Sequence, residues 1–253
     1  MQFAYYVFRY GVSLLLLIFI YSAAILIGLF YRPAAWDLIV TWNRLFLRIF
    51  GVEPTVEFTN KNIDLNTGGV MIGLTQQSLL DPIIGIATSP KMFMSIWNIE
   101  YALIPFVGWI SWIFGWVILR QNQEQAIRKF KKAEAHIRRG GLVYLSIEGK
   151  RSIDGSLSPY KKGPAILAIQ AEAKIIPIIV LGSRNCLPFG EWRIRPGKVV
   201  LRVLDEVRTD GMNYEDRDLL VSKLREIAER ELAAWEMDHT DPRPEGDAAS
   251  LPC

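Results

Sequence analysis

Between residues 11 and 31 the chain carries no charged side chain and is almost wholly apolar. At about 1.5 Å per residue such a run covers roughly 30 Å, the hydrocarbon thickness of a bilayer. Pro33 permits a fresh helix, in which Trp36, Ile39, Val40, Leu45, Leu47 and Phe50 interleave with Asp37, Asn43, Arg44 and Arg48. That mixture predicts a helix lying at a membrane interface. The two segments are compatible with a single span or with a membrane-embedded helical hairpin. Downstream the period changes. Short apolar runs at 55–58, 70–74, 142–147, 175–181 and 198–204 read as strands, and amphipathic patterns at 122–139, 163–173 and 214–236 read as helices. Asn122 is placed to cap the first of these helices, with Ala126, Ile127, Phe130, Ala133 and Ile137 as its apolar stripe, and Gly140-Gly141 ends it. Strands alternating with helices predict an α/β fold, a largely parallel sheet covered by helices, carried on an N-terminal hydrophobic membrane-anchoring element. The expected division is a membrane anchor over 1–50, an α/β domain over 51–236, and a polar, Pro-containing, disordered tail over 237–253.

Residues 103–119 form a second very apolar stretch, with Trp109, Trp112 and Trp116 spaced by three and four and with Pro105, Gly108 and Gly115 interrupting it. It is short for a span. It suits a segment that dips into the membrane or contacts an acyl chain, and equally an ordinary packed core segment.

Composition supports membrane contact: 51% of residues are hydrophobic and the mean hydropathy is +0.19. The net charge of +3 matters less than its distribution. From Arg120 to Arg151 nine Lys or Arg stand against three Glu, whereas residues 205–247 are strongly acidic. The basic block suits anionic lipid headgroups or a phosphate-bearing substrate, and much of it, including Lys129, Lys132 and His136, also reads as a solvated helix face. No nucleic-acid-binding motif accompanies it. Cys186 and Cys253 make no disulfide framework and have no metal-ligand spacing, which implies a reducing compartment and no metal centre. No small-residue cleavage site follows the first apolar run, so a removed signal peptide is not expected. Arg9 precedes the run and Arg32, Arg44 and Arg48 follow it, which puts the α/β domain on the cytoplasmic side of the membrane.

Polar residues crowd between the buried strand at 70–74 and the apolar helix at 83–87, as Thr75-Gln76-Gln77-Ser78-Leu79-Leu80-Asp81-Pro82. A parallel α/β fold places such a stretch at its carboxyl edge, where ligands bind. The spacing resembles the first motif of the acylglycerol-phosphate acyltransferase (lysophospholipid acyltransferase) family, Asn-His-x-Ser-x-x-Asp. Ser78 and Asp81 are in register, Gln76 stands at the His position and Thr75 at the Asn. Ile104-Pro105-Phe106-Val107-Gly108-Trp109 with Arg120 resembles the second block, Glu148-Gly149-Lys150-Arg151-Ser152 the third, and Pro177 the fourth. The resemblance covers residues 70–181, in order.

The resemblance implies transfer of a fatty acyl group from an acyl-CoA or acyl carrier protein thioester to a lysophospholipid hydroxyl, such as that of lysophosphatidic acid, with no cofactor beyond the thioester. In the family the His takes the hydroxyl proton and the Asp orients the imidazole. Carried over, Gln76 occupies the place of the base and Asp81 is the orienter. Ser78, Glu148, Gly149, Lys150, Arg151 and Pro177 belong to the substrate site, and Arg120 is a further phosphate contact. A guanidinium fits a phosphate with two parallel hydrogen bonds. The departures are as informative. A Gln amide hydrogen-bonds a hydroxyl but cannot accept its proton, and general-base help is typically worth ~10²–10⁴ in rate. His136 and His239 do not replace it. The family's Lys ahead of Glu100 is absent from Asn98-Ile99, Ile147 replaces Pro, and Lys150 replaces Thr. Two functions follow: a membrane-bound acyltransferase of reduced or altered activity, or a catalytically silent relative that binds lysophospholipid, acyl-CoA or a protein partner.

Overall fold

A computed structural model describes residues 2–119 and 122–239. Helix α1 (Gln2–Gly28) and helix α2 (Arg32–Phe50) form a hairpin. They run antiparallel, since Trp42 Nε1 donates to the Ser13 carbonyl at 3.2 Å and the Tyr10 and Phe50 rings lie 4.7 Å apart. Pro33 in the first turn starts α2, and Gly51 stops it in the left-handed conformation at φ 71°.

The chain then runs through β1 (Val52–Phe58), β2 (Gly69–Gly73), α3 (Asp81–Thr88), β3 (Met94–Asn98), α4 (Ile99–Ala102), α5 (Val107–Ser111) and β4 (Gly115–Ile118). After these come α6 (Gln123–Arg138), β5 (Leu142–Ser146), α7 (Gly163–Ala171), β6 (Ile175–Leu181), α8 (Ser183–Cys186), β7 (Gly197–Val203) and α9 (Arg217–His239). The seven strands form one sheet in the order β1-β7-β6-β2-β5-β3-β4, parallel throughout except where β6 meets β7. The α/β class and the largely parallel sheet are as the sequence leads one to expect.

Strands β3 and β4 are additions to the elements expected from the sequence. Met-Ser-Ile-Trp-Asn does not alternate cleanly, and Gly-Trp-Val-Ile is four residues inside a longer apolar run. That run, residues 103–119, therefore divides its roles. Ile110, Ile113, Phe114 and Val117 are buried in the core, while Leu103, Ile104, Trp109 and Trp112 stay exposed.

Successive residues of each central strand face opposite layers, as the two-residue strand period requires. Met71, Ile176 and Ile178 pack with Trp36, Ile39, Phe50 and Ile84 of α2 and α3. Val70, Ile72, Ile175 and Ile179 pack with Ala133, Leu167 and Leu224 of α6, α7 and α9. The N-terminal 50 residues are thus continuous with the α/β domain, because α2 is one of the helices that cover the sheet. Helix α1 is different. It alone among the described helices is long and apolar enough to cross a membrane, over Phe3–Gly28, and its Phe8, Leu15, Phe19 and Leu26 are exposed. Its Tyr6 hydroxyl reaches the Ile194 carbonyl at 3.1 Å, which ties it to the loop before β7. The final helix reaches His239, and the rest of the expected tail, residues 240–253, lies outside the described residues.

Candidate active site

Strand β2 ends at Gly73 on the carboxyl edge of the sheet, and the chain turns through residues 74–80 before α3 begins at Asp81-Pro82. The turn is pinned at several points. Tyr160 donates its hydroxyl to the Leu74 carbonyl at 2.6 Å, and Ser78 donates Oγ to the Leu187 carbonyl at 2.8 Å while accepting the Leu80 amide at 3.1 Å. Ser78, expected at the substrate, is buried and spends both its donor and an acceptor position on this bracing.

Asp81 lies in the first turn of α3, where the helix dipole favours a negative charge. Its Oδ2 accepts the amides of Gln77 and Ser78 at 2.7 and 3.0 Å, and its Oδ1 accepts the Ser183 hydroxyl. Burial nevertheless dominates and pushes the carboxyl up to about 6, against these hydrogen bonds and the positive field of Arg151. Tyr144, half-buried, has its phenol pushed up by burial and by the Asp81 charge, and its hydroxyl crowds Gly73 so closely that a Cβ there would lie 2.4 Å away.

Glu148, from the loop after β5, is buried and braces two segments at once. One carboxylate oxygen accepts the Gln76 amide and the other accepts the Ser158 amide at 2.6 Å. The Ser152 amide returns to the Gln76 carbonyl at 2.9 Å. The two motif loops are in this way clamped together by backbone amides. Gly149 lies under the Lys161 side chain, whose Cε would be 2.4 Å from a Cβ there and whose flexible end can move aside. Lys150 projects into solvent. Pro177 is buried in mid-strand β6, opposite Ile72 of β2, away from the loops. Arg120 lies outside the described residues.

Arg151 is half-buried near Asp81. Its guanidinium lies 5.2 Å from the Phe189 ring centroid, in cation–π range, and it pairs with no carboxylate among the described residues. The Gln76 side-chain amide is half-buried and makes no hydrogen bond among the described residues, while that of Gln77 donates to the Gly155 carbonyl at 3.0 Å. Several residues of the site escape sequence reasoning, Ser183 and Arg184 among them. Ser183 completes the shell of Asp81. Arg184 donates to the Ile153 carbonyl at 3.4 Å and lies over Gly155, whose Cβ, if it had one, would be 2.4 Å from Nη1. Gly182-Ser183-Arg184 directly follows a buried strand, the same polar break at the carboxyl edge that singles out residues 75–82. Among the described residues no group of three His, Cys, Asp or Glu side chains is placed to hold a metal ion.

The Acyltransferase family model matches residues 55–181, half of the chain, from β1 to the end of β6. The chain belongs to the acyltransferase family. Over 116 residues it is 34% identical to the 1-acyl-sn-glycerol-3-phosphate acyltransferase of Limnanthes alba, covering 46% of this chain and 41% of that one. Over 178 residues it is 28% identical to 1-acyl-sn-glycerol-3-phosphate acyltransferase alpha of Homo sapiens, covering 70% and 62%. It thus spans less than two thirds of the length of either relative. Its fold is that of the 1-acyl-sn-glycerophosphate (LPA) acyltransferase PlsC of Thermotoga maritima, with a TM-score of 0.70 over 93% of this chain and 100% of that one at 21% identity. Of the site residues described above, Ser183, Arg184, Leu187 and Phe189 lie beyond the acyltransferase match, and the rest fall inside it.

Proposed function

We propose that this acyltransferase-family chain moves a fatty acyl group from an acyl-CoA or acyl carrier protein thioester to the hydroxyl of a lysophospholipid such as lysophosphatidic acid, working at a membrane surface from its cytoplasmic side. The observation that carries the reading is Arg151, a guanidinium without a carboxylate partner among the described residues, held beside Asp81 on the carboxyl edge of the sheet by loops that Glu148 clamps. A phosphomonoester headgroup supplies the two oxygens such a group binds best.

In the reaction the acceptor hydroxyl oxygen attacks the thioester carbonyl carbon, a carbon–oxygen bond forms, the carbon–sulfur bond breaks, and the hydroxyl proton ends on the departing thiol. Gln76 holds the hydroxyl by a hydrogen bond but does not take its proton, so turnover is slow, by ~10²–10⁴ relative to a site with a general base. Positioning by the headgroup supplies the remaining acceleration.

The test is transfer of a radiolabelled acyl group from acyl-CoA to lysophosphatidic acid by the full chain in phospholipid vesicles, with lysophosphatidic acid binding measured alongside. Slow, protein-dependent product and a loss of about 1.5–3 kcal/mol of binding in Arg151→Ala are expected. Unchanged binding in a folded Arg151→Ala variant would remove the headgroup assignment. Binding without any product would leave a lipid-binding relative that does not turn over.

A further inference from the structure

His136 does not lie on a solvated face, as the stripe Lys129-Lys132-His136 suggests. It is half-buried, its ring meets Trp116 edge-on at 5.7 Å between centroids, and its Nε2 lies where a Cβ on Gly141 would be 2.1 Å away. The imidazole forms part of a cavity of about 480 Å³, whose wall also includes Arg32, Lys132, Arg139, Trp112 and Trp116. Among the described residues no Asp or Glu lines it. None of the three cations has a carboxylate partner among the described residues, although Arg128 and Arg138 on the same helix are both paired. Burial and then the neighbouring charges of Arg139 and Arg32 hold the imidazole below its ordinary range. Three uncompensated cations around one cavity repel one another, and an anion in the cavity relieves that repulsion.

The cavity is distinct from the candidate active site. Met94 and Gly115, which also line it, are the first residues of β3 and β4, so it opens at the amino edge of the sheet. Gln76, Asp81 and Glu148 lie at the carboxyl edge, on the far side of strands about 15 Å long.

The surroundings narrow the kind of anion. Arg32 follows Leu29, Phe30 and Tyr31, which are 67%, 92% and 61% exposed at the tip of the α1–α2 hairpin, and Trp112 beside it is 59% exposed. The tip is seated on the same wall, since a Cβ on Gly28 would touch Ile113 at 3.2 Å. A small soluble anion has no use for this apolar rim, whereas a lipid places its phosphate at headgroup depth and its chains beside exposed aromatic and aliphatic groups.

We propose that this cavity binds the phosphodiester headgroup of an anionic membrane phospholipid, with Arg32, Lys132 and Arg139 around the phosphate and the acyl chains leaving past Trp112 and the hairpin tip. The bound lipid is a structural ligand, separate from any acyl acceptor at the carboxyl edge.

The experiment uses the full chain with ¹³C-labelled histidine in zwitterionic micelles. The His136 ring resonance is assigned by its loss in His136→Asn and followed during addition of dihexanoyl phosphatidylglycerol, dihexanoyl phosphatidylcholine or inorganic phosphate. A saturable shift with phosphatidylglycerol is expected, at concentrations where the other two give none. In Lys132→Gln/Arg139→Gln the affinity should fall roughly tenfold or more, as expected for loss of charge-assisted contacts. Both side chains are exposed and make no hydrogen bond among the described residues, so a thermal midpoint in the micelles that is not lowered is expected as well. No saturable shift with phosphatidylglycerol, an equal response to phosphatidylcholine, or an unaltered titration in the double variant would overturn the proposal. An equal shift with inorganic phosphate would overturn the lipid assignment and make the cavity a site for free phosphate.

Discussion

Of the roughly four lone-pair positions on the Asp81 carboxylate, three are taken, by the amides of Gln77 and Ser78 and by the Ser183 hydroxyl. One position on Oδ1 is left for a ring N–H from residue 76. Gln76→His should therefore raise acyl-CoA-dependent transfer to lysophosphatidic acid, by up to ~10²–10⁴, and Asp81→Ala in that background should abolish the gain. A flat result in a folded, ligand-binding variant would mean that an imidazole at 76 does not reach Asp81. The same carboxyl also affects stability. Its folded value of about 6 lies above the unfolded value near 3.9, so the folded chain holds the proton more tightly. The stability this gives is present in full below about pH 4, declines as pH rises to about 6, and is absent above that. Asp81→Asn should thus raise the thermal midpoint at pH 8, by up to roughly 3 kcal/mol of stability, with little effect near pH 4. Denaturation curves at the two pH values check the sign. Asp81 and Arg151 are legible in the sequence because they sit in short motifs beside buried strands. Ser183 is not, because it meets Asp81 across 102 residues of chain. His136 reads wrongly as a surface residue because Trp116 and Gly141, which enclose it, come from outside its helix.

Among the elements, the pair β3–β4 depends on one glycine. A Cβ on Gly115 would lie 2.2 Å from the Ser95 carbonyl oxygen and 2.4 Å from Trp97 Cδ1, so the strands could not keep their spacing. Gly115→Ala should cost about 1–3 kcal/mol, as overpacking usually does, and lower the midpoint by roughly 2–10 °C. Gly85, inside α3, has open space within 4 Å of the point where a Cβ would stand. There Gly85→Ala should stabilise by about 0.5–1 kcal/mol, the usual difference between the two residues in a helix. Parallel calorimetry of the two variants, with opposite signs, tests the packing at both places. Long periodic elements such as α6 are readable to within a residue of their ends. Its apolar stripe is readable only in part, because Ile127, assigned to it by period, is exposed. The four-residue β4 is hidden because its hydrophobicity matches that of the segment around it.

At the scale of the whole molecule, exposed apolar surface is concentrated on α1, where Phe8 and Phe19 are 71% and 72% exposed. Burying one such side chain in a membrane is worth about 1.5–3 kcal/mol. Phe8→Glu/Phe19→Glu should therefore weaken binding to phosphatidylcholine vesicles by roughly 10²-fold or more. Flotation in high salt isolates this apolar contribution from the basic surface, and undiminished flotation of the double variant would show that α1 is not the membrane contact. Removing residues 1–50 would be a poorer test, since α2 would take Trp36, Ile39 and Phe50 out of the core with it. The apolar helix is evident from composition alone. That its partner helix belongs to the sheet is not, since α2 looks amphipathic whether it faces lipid or strands.

The pairing of β1 with β7 has a consequence for synthesis. Val52 finds its register partner only at Gly197, about 145 residues later. At ribosomal speeds of roughly 5–20 residues per second, β1 waits some 7–30 s for a strand to pair with. Over that interval the hairpin before it has emerged, while the β6 and β7 faces that cover α2 are still to be made. A membrane surface can take up α1 during the delay. The nascent chain would then be tethered to lipid before its sheet is closed.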